Sequence, residues 1–107
     1  MRRAESIKEV KKILLRYKHA LENDNFPVSK IILYGSYAKG GSRPYSDIDV
    51  CVISDKFLRN KDHYETYLWK KVLGVDRRIE PVGYHPRDFH TADPLVHEIK
   101  KYGIEIK

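Results

Sequence analysis

Two aspartates, Asp47 and Asp49, stand one residue apart in the β-branched run DIDVCVIS (residues 47–54), and no other feature limits the fold as tightly. Side chains on a strand alternate between faces, so both carboxylates project to one side while Ile48, Val50 and Val52 project to the other. Carboxylates held this close repel and raise each other's pKa unless a cation sits between them. The plain alternative is a polar outer face on an edge strand. That alternative does not account for the residues that come before.

Those residues are VSKIILYGS (28–36). The first seven are short, β-branched and aromatic, and read as a strand. The strand stops at Gly35-Ser36, and a small-residue loop with Gly40 and Gly41 follows. A Gly-Ser pair that closes a strand and opens a helical turn leaves backbone N–H groups free to bind an anion. Gly35 allows a phosphate to approach closely, and the Ser36 hydroxyl adds a donor. Lys39 and Arg43 are placed to neutralise further phosphate charge. Alone, such a pair is more often a turn. Followed after ten residues by Asp47-Ile48-Asp49, it reads as one half of a site whose other half binds a metal, because Mg²⁺ takes oxygen ligands and shares them with substrate phosphates.

The surrounding chain reads as alternating helices and strands. Ile7, Val10, Ile13, Leu14, Tyr17, Ala20 and Leu21 recur at helical spacing, and Ser6 with Glu9 has the form of a capping box. NDNFP (23–27) breaks that helix. KDHYETYLWKKVLG (61–74) gives a second amphipathic helix, with Tyr64, Leu68 and Val72 on one line and Gly74 placed as a C-cap. RRIEPVGY (77–84) reads as a strand that Pro81 confines to an edge or an irregular end. Asp93-Pro94 opens a last helix through Leu95, Val96, Ile99 and Tyr102 to Gly103, and IEIK closes the chain. The alternation predicts a single α/β domain over residues 1–107.

Composition narrows the function classes. No apolar stretch approaches the length needed to span a membrane, and the charged N-terminus has no secretory pattern. Cys51 is the single cysteine, which rules out an internal disulfide framework and fits a reducing cytoplasm. The net charge of +6 invites a nucleic-acid partner, but the Lys and Arg residues are spread along the chain, which favours a solvated surface. Some of them can instead face an anionic small molecule such as a nucleoside triphosphate. Cys51 shares the face of the aspartates but reads as a small core residue, since Mg²⁺ disfavours sulfur. The histidines lack metal-binding spacing, so His85, His90 and His97 read as surface or capping residues. Trp69 and most tyrosines read as core or interface, with Tyr34 a candidate contact for a base.

The segment Gly35-Ser36, ten residues, Asp47-Ile48-Asp49 resembles the signature of the DNA polymerase β-like nucleotidyltransferase superfamily. Together with IEPVGYHPRDF and PLVHEIKKYGIEI, it resembles the minimal nucleotidyltransferases (MNT proteins) over nearly the whole chain. The resemblance implies a mixed sheet of three to four strands flanked by helices, and a third carboxylate on the next strand, here Glu80 where relatives often carry Asp. It implies that Ser46 steadies the loop, and that Lys39 stands where many relatives have arginine. It implies ATP as substrate and two Mg²⁺ ions: Asp47 and Asp49 on both, Glu80 on the ion that activates the attacking hydroxyl. The implied reaction moves AMP to a protein hydroxyl, a tyrosine of a helical HEPN toxin, with the chain as antitoxin. The competing readings are an antitoxin that acts by binding alone, transfer to RNA or a small molecule, and a nucleic-acid-binding domain.

Overall fold

The computed structural model describes residues 7–41 and 46–107. The apolar stripe of the first segment forms α1 (Ile7–Asn23), burying Val10, Ile13, Leu14, Tyr17 and Leu21 on one face. Its proposed capping residue Ser6 lies outside the described residues. The turn after α1 passes through Asn25, a non-glycine residue in the left-handed region with φ 61°. Three strands and two helices follow in alternation: β1 (Lys30–Tyr34), the single turn α2 (Ser36–Lys39), β2 (Ile48–Ile53), α3 (Lys61–Val72) and β3 (Ile79–Tyr84). The chain then forms α4 (Pro94–Tyr102) and the two-residue β4 (Ile104–Glu105). Two 3₁₀ turns, Asp55–Leu58 and Pro86–Asp88, are additions to the pattern read from sequence.

The sheet has the order β3-β2-β1-β4. β1 pairs antiparallel with β2 and with β4, whereas β2 and β3 run parallel. The mixed sheet expected from the resemblance is therefore present, and β3 with its Pro81 does lie at an edge. The parallel β2–β3 pair requires a crossover, and α3 supplies it.

Strand alternation divides the core in two. Ile31 and Leu33, Ile48, Val50 and Val52, and Ile79 meet α1 and α3 in the larger cluster. Ile32 and Tyr34, Cys51 and Ile53, and Tyr84 meet Val96 and Ile99 of α4 in the smaller one. Fully buried side chains such as Leu14, Leu33 and Leu68 each contribute roughly 1.5–3 kcal/mol relative to exposure. The Tyr17 hydroxyl, buried between α1 and α3, donates to the Leu68 carbonyl at 2.9 Å, which satisfies it without water.

The start of α4 follows its sequence. Asp93 accepts from the Leu95 N–H at 2.9 Å, and Pro94 occupies the first turn. The Tyr84 hydroxyl donates to the other Asp93 oxygen at 3.0 Å, fastening the end of β3 to the start of α4. Cap and crosslink together hold α4 over the face that carries the odd-numbered residues of β2.

Candidate active site

Register brings the carboxylates together. Asp49 pairs with Tyr34 on one side and with Glu80 on the other, so three side chains form a row across β1, β2 and β3 on the α4 face. The row lies where β1 ends and where β2 and β3 begin. Asp47 precedes β2, which starts at Ile48 and not at Asp47 as the sequence suggested, and its side chain is exposed. Without a strand partner to bury it, Asp47 occupies the solvent side of the row.

The Gly35-Ser36 turn closes over the same row. Gly35 has φ 76°, a conformation that costs an L-residue but not glycine. A Cβ built on Gly35 would run into the Asp49 carboxylate. The turn and Asp49 are thus in contact through a position that only glycine can fill. Ser36 begins α2 and is half-buried. The turn ends with Gly40 at φ 84°, whose N–H bonds back to the Ser36 carbonyl.

The electrostatics carry the mark of crowding. Burial, then the charges of Asp47 and Glu98, hold the Asp49 carboxyl above the ordinary carboxylate range. Glu80 is also raised, first by burial, then by a hydrogen bond with Asp47 and the charges of Asp47 and Asp49. A hydrogen bond between two carboxyls needs a shared proton, which is why the contact with Asp47 raises Glu80. Burial is also the first cause of the raised pKa of Tyr34, followed by the charge of Asp49.

Lys39 lies at this end of the fold, but its ammonium is turned to α4. Its Nζ is 3.6 Å from Glu98 Oε2 and 4.9 Å from the centre of the Tyr102 ring. Glu98 had no signal in the sequence beyond its place on an amphipathic helix; the docking of α4 alone brings it to the site. Ser46 is half-buried just before Asp47, and Arg43 lies outside the described residues. Among the described residues, no three acidic, His or Cys side chains already converge as a metal-ligand group.

Other readings from sequence resolve as follows. Cys51 is buried in the α4-side core, where burial pushes its thiol up to about 12. His85 caps the second 3₁₀ turn by accepting from the Arg87 N–H at 3.1 Å. Tyr34 is buried beside Asp49. Trp69, read as core or interface, is 47% exposed and packs into neither core cluster. A cleft of about 490 Å³, lined by Lys30, Ile32, Ile53, Phe89, Ile99 and Lys100, lies at the opposite end of the strands from the carboxylates.

Asp49 and Glu80 thus stand together at one end of the sheet beneath the Gly35-Ser36 turn. Residues 7–106 match the nucleotidyltransferase domain family, and the chain belongs to that family. MJ1215 of Methanocaldococcus jannaschii, named as a candidate protein adenylyltransferase, is 37% identical over 80 residues, covering 75% of this chain and 81% of its own. A toxin–antitoxin crystal structure with AMP-PNP superposes with a TM-score of 0.63 at 25% identity, over 91% of this chain and 72% of that one. The MNT antitoxin in complex with the tri-AMPylated HEPN toxin of Shewanella oneidensis shares the fold, with a TM-score of 0.54 at 23% identity over 89% and 71%. The chain is an enzyme of the nucleotidyltransferase class, as its sequence signature implied. No helix among the described residues is long and apolar enough to cross a membrane.

Proposed function

We propose that residues 1–107 are a single minimal nucleotidyltransferase domain that transfers AMP from ATP to a protein hydroxyl, with Asp47, Asp49 and Glu80 as its metal-binding and catalytic residues. The observation that carries this is the register pairing of Asp49 with Glu80 beneath Gly35. The donor set fits Mg²⁺: all three groups offer hard oxygens, and their mutual repulsion is what a cation removes. That the three do not form a closed cage is in keeping, because Mg²⁺ is commonly held by one or two carboxylates plus substrate phosphates and water. Two ions, when bound, supply charge neutralisation on the attacking and departing oxygens.

The chain's own residues do the rest. Asp47, Asp49 and Glu80 would hold the ions, with Asp47 and Asp49 as the principal ligands and Glu80 serving the attacking hydroxyl. Gly35, the Ser36 hydroxyl and the backbone of the turn receive the β- and γ-phosphates, Lys39 and Arg43 add positive charge, and Ser46 steadies the loop before Asp47. The acceptor oxygen attacks the α-phosphorus, the bond to the β-phosphate oxygen breaks, and pyrophosphate departs. The acceptor proton passes to a carboxylate oxygen of Glu80, acting as general base.

The acceptor class is supported by the relatives: one is named as a candidate protein adenylyltransferase, and others are antitoxins crystallised with their toxins. We take a tyrosine of a HEPN toxin as the acceptor, the cytoplasm as the location, and nucleic acid as no direct partner. Incubating the chain with radiolabelled ATP, Mg²⁺ and the product of its neighbouring gene tests this, with the modified residue located by mass spectrometry. Label on a tyrosine of that product supports the reading. Neutralisation of the partner without label transfer would favour an antitoxin acting by binding alone.

A further inference from the structure

Glu98 has no part in the reaction just described, yet it stands at the site. It lies four residues before Tyr102 on α4, so the two share a helix face. They share the Lys39 ammonium, whose Nζ is 3.6 Å from Glu98 Oε2 and 4.9 Å from the Tyr102 ring centre; Lys101 Nζ also lies 5.4 Å from that ring. The Glu98 charge also acts on Asp49 and Tyr34, contributing to the raised pKa of each.

This seat is weak. The Lys39 and Glu98 side chains are 44% and 38% exposed, and an ion pair that open to water contributes little. A triphosphate offers several charged acceptors at once and outcompetes a lone carboxylate for an ammonium. Lys39 ends the helical turn that Ser36 begins, so its flexible side chain springs from the same turn as the Ser36 hydroxyl.

We propose that Glu98 is a positioning residue of the nucleotide site: with Tyr102 it seats the Lys39 ammonium at the rim until a triphosphate draws it off. The inference rests on the reading of the site as one for ATP, and it deepens that reading by naming what competes with ATP for Lys39. It also explains why an acidic residue is tolerated beside a phosphate site. In the resting chain its charge is matched by Lys39, and the cation stays within reach of the phosphates it will meet.

Calorimetric titration of ATP·Mg²⁺ into the full chain tests the proposal, using wild type, Glu98→Gln, Tyr102→Leu, Lys39→Met and the double variant Glu98→Gln/Lys39→Met. Emptying the seat should tighten binding about two- to fivefold in both Glu98→Gln and Tyr102→Leu, the size expected of an exposed pair. Lys39→Met should bind more weakly than wild type. Glu98→Gln should give no further gain once Lys39 is gone. Unchanged or weaker binding by Glu98→Gln overturns the proposal. So does an equal gain in the Lys39→Met background, which would make Glu98 a simple repelling charge. If wild type binds ATP·Mg²⁺ and this pattern is absent, the seat alone is wrong. If wild type does not bind at all, the nucleotide site falls with it.

Discussion

Asp49 of β2 and Glu80 of β3 are register partners in the only parallel pairing among the described strands. In that pairing both side chains emerge on the α4 face, beside Tyr34 and under Gly35. Charge repulsion inside this row and its relief by a cation underlie the first prediction.

Asp49 and Glu80 bind protons more tightly in the folded chain than in the unfolded one. Their contribution to stability is therefore complete below the ordinary carboxylate range and is lost as pH rises through the raised folded values. Asp76 works in the opposite sense: the Arg78 guanidinium, 2.9 Å away, holds it low, and its contribution is lost on acidification. Without divalent ions, Asp49→Asn should melt above wild type at neutral pH, with the gap closing near about pH 4. Mg²⁺ should raise the melting temperature of wild type and not of the variant, and transfer should be abolished. Calorimetric melts at both pH values, with and without Mg²⁺, read this directly. A fully active Asn variant would remove Asp49 from the metal site.

Ser36→Ala should weaken ATP binding by about ten- to hundredfold, since a hydrogen bond to a charged group contributes roughly 1.5–3 kcal/mol. Gly35→Val should be worse. Its branched side chain meets the Asp49 carboxylate, and its φ of 76° disfavours any β-branched residue. Titration of ATP·Mg²⁺ into both variants gives the answer, and wild-type affinity in both would place the phosphates elsewhere.

Glu80→Gln should lower the transfer rate strongly and leave ATP affinity nearly intact, the pattern of an interaction made only in the transition state. Glu80→Asp returns the charge on a shorter arm and should recover part of the rate. Single-turnover rates alongside equilibrium binding separate the two quantities. Wild-type turnover in the Gln variant would leave Glu80 an ordinary surface residue.

Tyr17→Phe, far from the carboxylates, isolates the fold from the chemistry. The lost hydrogen bond to the Leu68 carbonyl should cost about 1 kcal/mol, lowering the melting temperature by roughly 4–8 °C for a domain of this size. ATP affinity should not change. A melt matching wild type would show that water replaces the hydroxyl at no cost.

Much of this protein follows from local pattern. The stripe through Val10, Leu14, Tyr17 and Leu21 determined α1, because helical period alone selects the residues that can share a buried face. Asp93-Pro94 determined the start of α4, because a side-chain acceptor and a fixed φ act within a few bonds. Gly35-Ser36 and Asp47-Ile48-Asp49 marked the candidate site for the same reason. Other features depend on parts of the chain remote in sequence. Period-2 alternation tells which way Glu80 points but not which residue lies beside it; the parallel register of β2 and β3 decided that it is Asp49. Glu98 reached the site, and Lys39 turned to meet it, only through the docking of α4 onto the sheet. Period and capping are short-range properties written into neighbouring residues, whereas register and helix docking are set by the packing of the whole core, which no single segment contains.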